Sequence, residues 1–439
     1  MTSEPERIPK SVQRFSDSNA RQEEPVTEAF VWTWLPDATK PVVAGRLFRV
    51  GEELQFNYGR SYLERPAAIS LYGPELPLKS GPLPLLPGLS MPGCLRDGAP
   101  DAWGRRVIIN RKFGKKRDAI DVTQLDELTY MLESGSDRIG ALDFQRSPTE
   151  FVARERGTPT IEDLMNAAEQ VEQGVPLTPE LEQALFHGDS IGGARPKGKV
   201  MEGEHKFIAK FSSKSDVFDV VRGEYVAMRL AERVGLDVAP VQLLNAAGKD
   251  VLLIERFDRH RIEGGWTRKL HVSALTIFGL DEMMARYASY EDLCEHIRHR
   301  FTHPGQTLRE LFGRLVFNIL SGNTDDHARN HAAFWDGSRL TLTPAYDICP
   351  QGRTGNEATQ AMLIIGDNRQ SRLSVCLDAA SNFQLTREAA KALIDAQVAT
   401  IRAQWHAVCD EAQLSEIDRN LMWERQFLNP YAFEGYYGE

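Results

Sequence analysis

The sequence has few cysteines and lacks any apolar run of the roughly 18 residues that a membrane-spanning helix needs. Its opening residues, Met-Thr-Ser-Glu-Pro-Glu-Arg, lack the basic region and apolar core of a secretory signal. The cysteines are odd in number and show no paired ligand spacing: Cys94, Cys294, Cys349, Cys376 and Cys409. This usage indicates a reducing compartment and argues against a structural zinc site. We therefore expect a cytoplasmic protein without a membrane span.

The sequence also lacks an excess of positive charge. Its 52 Lys and Arg residues are outnumbered by 62 Asp and Glu residues, which gives a formal net charge of −10. The surface as a whole should therefore repel nucleic acid, so a role on DNA would require a partner protein. The length of 439 residues, with 42% apolar and 26% charged, is typical of a globular protein of about two to three domains.

The amino-terminal part divides into a polar tail and a β-rich unit. Residues 1–28 contain almost no large apolar side chain, which predicts a flexible tail. Short apolar segments bounded by turns then predict antiparallel strands at 30–34, 42–50 and 53–58. We therefore expect a small, mainly β domain over about residues 29–145.

A basic helix follows the proline- and glycine-rich stretch 82–93 in this unit. Its Lys and Arg residues are Arg105, Arg106, Arg111, Lys112 and Lys115–Arg117. Because aromatic residues are sparse among them, a solvated helix face is a better interpretation than a nucleic-acid interface.

The most informative stretch is Asn323-Thr-Asp-Asp-His-Ala-Arg-Asn330, which interrupts an apolar helix at Ser321-Gly322. Asp325 and Asn330 stand five residues apart. This is the spacing of a kinase catalytic loop, where the Asp orients or deprotonates the accepting hydroxyl and the Asn binds magnesium. Asp326 lacks the five-residue step, so we assign catalysis to Asp325. Taken singly, each residue could instead be an ordinary cap in a polar loop.

A predicted β-hairpin follows this loop. Residues 331–335 and 339–342 have strand character, and Asp336-Gly337-Ser338 forms the turn between them. Such a hairpin would return Asp347 to the side of the loop, where a second oxygen ligand is needed for magnesium on a nucleotide. One Asp, one Asn and phosphate oxygens suffice for this ion, because it retains several waters.

Upstream, Gly188-Asp-Ser-Ile-Gly-Gly-Ala-Arg-Pro-Lys197 predicts a glycine-rich loop that enters a strand. Backbone N–H groups at Gly192 and Gly193 could approach phosphate oxygens, while Ser190, Arg195 and Lys197 add donors and charge. A glycine pair alone is weak support for a phosphate site, so its weight depends on the elements that follow.

Those elements are a strand lysine and a helix glutamate. Lys210 lies within the apolar strand 205–211, where an ammonium requires a charged partner or must lose its proton. About fourteen residues after Lys210, Glu224 begins a strongly helical segment. A lysine that contacts both a helix glutamate and nucleotide phosphates is the kinase arrangement. The alternative is an edge-strand lysine and a first-turn glutamate without a shared role.

A further strand, 251–257, ends in Glu255-Arg-Phe-Asp-Arg259, where a kinase places the hinge between its lobes. The backbone at Glu255 and Phe257 could then bind the adenine edge. The predicted order is therefore a glycine-rich loop, a strand lysine, a helix glutamate, a hinge strand, helices, a catalytic loop and a metal-binding aspartate.

This order and its particular residues resemble the HipA family of toxin kinases from bacterial toxin–antitoxin systems. The matching segments are Ser190-Ile-Gly-Gly-Ala-Arg-Pro-Lys197, Phe207-Ile-Ala-Lys210, Ile254-Glu-Arg-Phe-Asp-Arg259, Asn323-Thr-Asp-Asp-His-Ala-Arg-Asn330 and Pro344-Ala-Tyr-Asp347. Asp97-Gly-Ala-Pro-Asp-Ala-Trp-Gly-Arg-Arg106 and Arg138-Ile-Gly-Ala-Leu142 resemble the family's amino-terminal domain and the junction after it. The resemblance implies an α+β fold with a bilobal protein-kinase-like core. Its lobes would span about residues 146–260 and 261–439.

The resemblance also implies roles for individual residues. Asp325 and Lys210 would be catalytic, and Asn330 and Asp347 would bind Mg²⁺. The implied nucleotide-binding set is Ser190, Gly192, Gly193, Ala194, Lys197, Lys210, Glu255, Phe257, His327, Asn330 and Asp347. Ser190 matches a loop serine that becomes autophosphorylated, after which the loop leaves the pocket and the kinase is inactive. The added negative charge makes this reasonable, although Ser190 could instead only hydrogen-bond the γ-phosphate.

The implied function is ATP- and Mg²⁺-dependent phosphorylation of a serine or threonine on a protein, with an aminoacyl-tRNA synthetase as the expected target. A HipB-like, DNA-binding antitoxin would neutralise the toxin, and DNA would be contacted only through it. The acidic net charge suits a basic partner. Two alternatives remain open: a small-molecule kinase of the aminoglycoside or choline type, and a non-catalytic, nucleotide-binding scaffold within a repressor complex.

Overall fold

The computed structural model describes residues 26–113, 125–155, 157, 159–185, 195–213, 216, 219–353 and 355–437. Most of the predicted tail lies outside these residues, as do four predicted nucleotide ligands, Ser190, Gly192, Gly193 and Ala194.

The strands are β1 (Glu28–Thr33), β2 (Val42–Val50), β3 (Glu53–Tyr58), β4 (Leu142–Gln145), β5 (Lys197–Glu202), β6 (His205–Phe211), β7 (Val241–Ala246), β8 (Lys249–Glu255), β9 (Arg259–Ile262), β10 (Gly265–Arg268), β11 (Leu270–Ser273), β12 (Ala332–Trp335) and β13 (Leu340–Leu342). The helices are α1 (Arg60–Leu63), α2 (Gly93–Arg96), α3 (Ala102–Phe113), α4 (Glu127–Glu133), α5 (Ile161–Glu172), α6 (Pro179–Leu185), α7 (Val220–Arg233), α8 (Ala274–Ile277), α9 (Tyr290–Arg300), α10 (Pro304–Ser321), α11 (Leu373–Ala379), α12 (Arg387–Glu411) and α13 (Glu416–Met422).

The first sheet has the antiparallel order β3-β2-β1-β4. The three strands predicted near the amino terminus are confirmed as β1, β2 and β3, and β4 closes the sheet against β1. Alternation along β1 and β3 buries Val31 and Phe56 on the side that faces the core. Together with the other sheets and the helices of the chain, this sheet confirms the predicted α+β class.

The second sheet, β5-β6-β8-β7, presents two chemically different faces. Phe207, Ala209 and Phe211 of β6 point to one side and pack with Trp103 of α3 and Leu164 of α5. Lys210 points to the opposite side, toward α7, as strand alternation requires. The apolar pattern of β6 therefore fixes the direction of its lysine.

The third sheet, β11-β12-β13, contains the hairpin predicted after the polar loop. Phe334 faces Thr341 across the hairpin, and β11 pairs with β12 along Leu270–Ser273. The short strands β9, β10 and β11, each four residues long, were not predicted from the sequence. In the helical part, α10 is buried over most of its length. Among the described residues, no helix is long and apolar enough to cross a membrane.

A buried network of ion pairs joins the turn before β4 to the end of β8. Arg256 donates to Asp258 Oδ1 (2.9 Å) and to the Arg138 carbonyl (2.7 Å). Arg259 donates to Asp137 Oδ1 (2.9 Å), and the Gly140 N–H donates to Asp258 Oδ2 (2.7 Å). Burial alone would raise the pKa of Asp258, but the two arginines hold the pKa well below its ordinary value. The amino-terminal part is thereby fixed to the predicted hinge.

Gly322 ends α10 and sets the direction of the polar loop. Its backbone is left-handed (φ 71°), and a Cβ here would lie 2.6 Å from the Gln426 carbonyl oxygen. We predict that Gly322→Ala lowers the free energy of unfolding by about 3 kcal/mol or more, from backbone strain and a backbone clash together. Urea titration of the purified protein would measure this change.

Gly51→Ala is the matched control, because Gly51 has a similar φ of 61° with nothing within 4 Å of the added Cβ. It should cost only about 1 kcal/mol, from backbone strain alone. Equal losses in the two variants would contradict the packing assigned to Gly322.

Candidate active site

Lys210 lies between two carboxylates from distant parts of the chain. Its Nζ donates to Oε1 of Glu224 on α7 (2.6 Å) and also to Oδ1 of Asp347. The side chains of Lys210 and Glu224 are only 11% and 3% exposed. Burial alone would lower the pKa of Lys210, but the two carboxylates raise it above its ordinary value. The lysine is therefore charged at neutral pH.

Asp347 follows the β12–β13 hairpin and has a left-handed backbone, with a φ of 59°. Its side chain is 38% exposed. Burial would raise the pKa of Asp347, whereas the adjacent Lys210 ammonium lowers it, to about 2. This carboxylate is consequently charged and partly accessible. A non-glycine residue in this conformation is uncommon, and such positions occur often at functional sites.

The polar loop between α10 and β12 is held by its own hydrogen bonds. The Asn330 side-chain amide donates from Nδ2 to the Asp325 carbonyl (3.0 Å), and the His327 N–H donates to the same oxygen (2.9 Å). The Asn323 amide donates to Asn318 Oδ1 (3.0 Å), which ties the loop to α10. With Nδ2 used inside the loop, the Asn330 side-chain oxygen remains available as a ligand.

The two adjacent aspartates of the loop differ in environment. Asp325 is exposed as a residue, but part of its carboxyl group is shielded from water. This burial, with a contribution from the negative charge of Asp347, raises the pKa of Asp325 above its ordinary value. Asp326 is buried, and it accepts hydrogen bonds from His331 Nε2 (2.8 Å) and from the Tyr290 hydroxyl. Asp326 is therefore satisfied within the fold. Only Asp325 is free to meet a substrate, in agreement with the five-residue step to Asn330.

A cleft of about 920 Å³ opens beside these residues. Six predicted site residues line it: Lys210, Glu255, Phe257, His327, Asn330 and Asp347. Ile208, Ile254 and Tyr346 add apolar wall, and the Phe257 ring packs against Tyr346 at 5.6 Å between centroids. These apolar residues could accept a flat aromatic base, and charged residues also line the cleft. Asp325 does not belong to the lining.

Two predicted nucleotide ligands have side chains engaged elsewhere. The Glu255 carboxylate binds His205 Nδ1 (2.7 Å), so its contribution to the cleft is left to its backbone. Lys197 lies opposite Lys210 in the β5–β6 register, and its Nζ is 3.5 Å from Oδ2 of Asp101. Lys197 is buried, which lowers its pKa, and it is not part of the cleft lining.

The oxygen donors beside the cleft fit a magnesium ion on a nucleotide. Asp347 supplies a carboxylate and Asn330 an amide oxygen, and Mg²⁺ prefers such hard ligands completed by phosphate and water. Over the described ranges, no group of three or more His, Cys, Asp and Glu residues could hold a metal by itself. The donor set therefore fits a metal that binds together with phosphate.

The sequence analysis missed residues of the amino-terminal part that reach this region. Asp97 and Asp101 precede α3 and line the cleft. Asp97 contacts Arg329 in the polar loop (3.2 Å), and Asp101 faces Lys197. The only signal in the sequence was their place in the matching segment Asp97–Arg106, which gave no indication of which residues they contact.

We predict that Lys210→Met destabilises the fold in a pH-dependent way. Removal of the ammonium leaves Glu224 and Asp347 unpaired, at a cost of about 3 kcal/mol at pH 7. Burial holds the pKa of Glu224 above its ordinary value, so in the variant this group takes up a proton as the pH falls, and the loss shrinks toward pH 5. In the wild type, Asp347 keeps its charge over this range, because its pKa is about 2.

Denaturant titrations at pH 7 and pH 5 would measure both effects. Lys249→Met is the matched control, since Lys249 lies on β8 in a surface ion pair with Glu169 and is 45% exposed. Its loss should stay within about 0.5 kcal/mol at both pH values. A Lys210→Met loss that is the same at both pH values would show that the buried carboxylates are not its cause.

Comparisons with known proteins place the chain in a family. Residues 28–145 match the family model of the HipA N-terminal domain, and residues 189–405 match the model of the HipA-like C-terminal domain. Together the two matches cover well over half of the chain, and they contain the cleft residues and the polar loop.

Three curated relatives share parts of the sequence. Y4mE of Sinorhizobium fredii, named as a kinase, is 32% identical over 28% of this chain and 31% of its own length. A protein of Haemophilus influenzae, also named as a kinase, is 30% identical over 37% of this chain and 52% of its own. The serine/threonine-protein kinase toxin HipA of Shewanella oneidensis is 25% identical over 36% of this chain and 42% of its own. The chain thus spans about a third to a half of the length of these relatives.

A solved structure extends the likeness to the whole fold. HipA of Shewanella oneidensis, in a complex with HipB and operator DNA, superposes with a TM-score of 0.63. The alignment covers 92% of this chain and 99% of that chain at 18% sequence identity, and it confirms the kinase-like architecture. With both family models matched in order along the sequence, this chain belongs to the HipA family.

Proposed function

We propose that this protein is an ATP- and Mg²⁺-dependent serine/threonine protein kinase that acts as the toxin of a toxin–antitoxin pair. The observation that carries the proposal is the position of Lys210, which lies within one cleft between Glu224 and Asp347 and beside the loop of Asp325 and Asn330. Protein kinases require this combination of a strand lysine, a helix glutamate, a catalytic aspartate and two metal ligands. A structural role alone would not explain why Asp347, one of the two carboxylate partners of Lys210, is partly accessible at the edge of an open cleft.

Nucleotide binding would use the two chemically different parts of the cleft. The adenine would lie against Ile208, Ile254 and Tyr346, next to the backbone of Glu255 and Phe257. Lys210 would hold the phosphates, with His327 lining the same side. Asn330 and Asp347 would hold Mg²⁺, which when bound neutralises charge on the phosphate oxygens. A phosphate group near Lys210 would also compete with Asp347 for the ammonium.

Phosphoryl transfer would then depend on the position of Asp325. Its carboxylate would orient the substrate hydroxyl and accept its proton as the new P–O bond forms and ADP leaves. Its raised pKa favours this role, because a stronger base at working pH accepts a proton more readily. Lys210 would stabilise the charge that develops on the phosphate oxygens.

The proposed target is a protein, with an aminoacyl-tRNA synthetase as the favoured substrate, so that activity would inhibit translation in the cytoplasm. The relative from Shewanella oneidensis is named a serine/threonine-protein kinase toxin, and its structure contains HipB and operator DNA. We accordingly propose a HipB-like antitoxin as partner and DNA contact only through it. The net charge of −10 supports docking on a basic protein.

The proposal includes inactivating autophosphorylation on Ser190. This serine lies in the glycine-rich segment before β5, outside the described residues, and the sequence alone supports its role. Arg195, at the end of that segment, binds Asp216 through two hydrogen bonds of 3.0 and 2.7 Å. Arg195, two residues before β5, is thereby held in place.

We predict that the purified protein, incubated with ATP and Mg²⁺, gains a single phosphate on Ser190. Asp325→Asn should slow this transfer by about 10²- to 10⁴-fold, because the hydroxyl loses its base. Intact mass and phosphosite mapping would measure both. Asp326→Asn is the matched control: it should destabilise the fold through His331 and Tyr290, while the folded protein keeps its transfer rate.

Several results would contradict the proposal. Equal loss of transfer in folded Asp326→Asn and in Asp325→Asn would remove the assigned role of Asp325. Phosphate transfer to soluble aminoglycosides or choline, but not to protein, would favour a small-molecule kinase. ATP binding without turnover on any acceptor, including a panel of aminoacyl-tRNA synthetases, would favour a non-catalytic scaffold.

A further inference from the structure

Asp97 is a buried carboxylate of the amino-terminal part that contacts the polar loop of the helical part. It follows α2, and its side chain is 3% exposed. Oδ2 accepts the Ser273 N–H (2.7 Å), while Oδ1 accepts the Ser273 hydroxyl (2.8 Å) and Nη1 of Arg329 (3.2 Å). Each carboxylate oxygen therefore has a partner, and both partners lie more than 170 residues away in the sequence.

Arg329 is well placed to transmit this contact to the site. It directly precedes Asn330, and its carbonyl accepts a hydrogen bond from the Tyr346 hydroxyl (2.7 Å). Tyr346 in turn directly precedes Asp347. The arginine is thus adjacent to one proposed magnesium ligand along the chain and hydrogen-bonded to the neighbour of the other. A shift of Arg329 would move both ligands relative to each other.

The two acidic partners of Arg329 differ in environment. Its guanidinium also binds Glu282, whose side chain is 59% exposed, whereas the Asp97 side chain is almost fully withdrawn from water. Solvent screens the exposed pair, so Glu282 contributes little to fixing the arginine. The pair with Asp97 is screened less, and the backbone N–H of Ser273 holds Oδ2 of this carboxylate in place. Asp97 is therefore the partner that determines where Arg329 lies.

We propose that Asp97 is a positioning residue for the phosphotransfer reaction, acting through Arg329 to hold the catalytic loop and the magnesium ligands in register. The inference rests on the proposed function. It makes the amino-terminal part a component of the active site rather than a separate recognition module. Catalysis would then depend on a side chain that the kinase-like core does not contain.

A purely structural role for Asp97 is the competing explanation, because Ser273 also begins α8 and accepts the Thr276 N–H (3.3 Å). The chain allows the two roles to be separated. Ser273→Ala removes the hydroxyl contact but leaves the pair with Arg329. Asp97→Asn keeps the side-chain shape and one acceptor oxygen for Ser273, but removes the charge that Arg329 pairs with. Arg329→Met removes the other member of the pair.

The experiment is a double-mutant cycle on the full-length protein with ATP and Mg²⁺. Asp97→Asn and Arg329→Met should each lower kcat by about 10- to 100-fold, since small misplacements of reacting groups have effects of this size. kcat should fall by more than KM for ATP rises, because Lys210 and the apolar wall residues Ile208 and Ile254 keep their own contacts in both variants. The double variant should be no slower than the slower single variant, as for residues that act as one unit.

Two controls and one further readout complete the test. Glu282→Gln and Ser273→Ala should keep kcat within about twofold, because the contacts of Glu282 with Arg329 are exposed to solvent and the Ser273 N–H still binds Asp97 Oδ2 in the alanine variant. Hydrogen exchange of the loop amides over residues 323–330 should accelerate in Asp97→Asn and Arg329→Met, but not in Glu282→Gln. This readout does not depend on phosphotransfer.

Losses that multiply in the double variant, or equal losses in Ser273→Ala and Asp97→Asn, would overturn the inference. Wild-type protein without any phosphotransfer would instead contradict the proposed function. Hydrogen exchange would then decide the inference alone: loop protection unchanged in Asp97→Asn would overturn it, and protection lost in both variants of the pair would support it.

Discussion

The ammonium group of Lys210 is shared by Glu224 and Asp347, and this buried contact joins a strand, a helix and the segment after a hairpin. Withdrawing these charges from water is costly, so the arrangement persists only if the three elements are held accurately. The apolar side of β6 directs Lys210 toward α7, and the β12–β13 hairpin returns Asp347 to it. Lys210 and Asp347 both line the cleft, so the same contact also places charge on its wall.

The amino-terminal part contacts both the sheet that carries Lys210 and the polar loop. The ion network around Arg256 and Asp258 fixes the turn before β4 to the end of β8, which is the strand next to β6. Asp97 reaches the polar loop through Arg329. The two regions matched by separate family models are therefore joined by two sets of charged contacts, one around Arg256 and Asp258 and one between Asp97 and Arg329. A change in the amino-terminal part could thus alter the cleft without touching a nucleotide ligand.

Much of the fold and the site follows from local sequence. Strand alternation predicted the side of β6 that carries Lys210, and turn residues predicted the hairpin before Asp347. Contacts between distant segments were not predictable, because no local pattern encodes which charges meet: Asp97 with Arg329 is one example and Asp101 with Lys197 another. The basic face of α3 also differs from the expected solvated surface, since Arg105 and Arg111 pair with Glu127 and Glu133 of α4.

We propose that Asp347 is both the partner of Lys210 and a ligand for metal-bound nucleotide. Calorimetric titration of a non-hydrolysable ATP analogue, with and without Mg²⁺, tests it most directly on wild-type protein and Asp347→Asn. We expect Mg²⁺ to strengthen binding of the analogue to wild-type protein by about tenfold or more, equivalent to about 1.4 kcal/mol. Binding of the analogue to Asp347→Asn should be the same with and without Mg²⁺. A variant that keeps the full effect of Mg²⁺ would contradict the account.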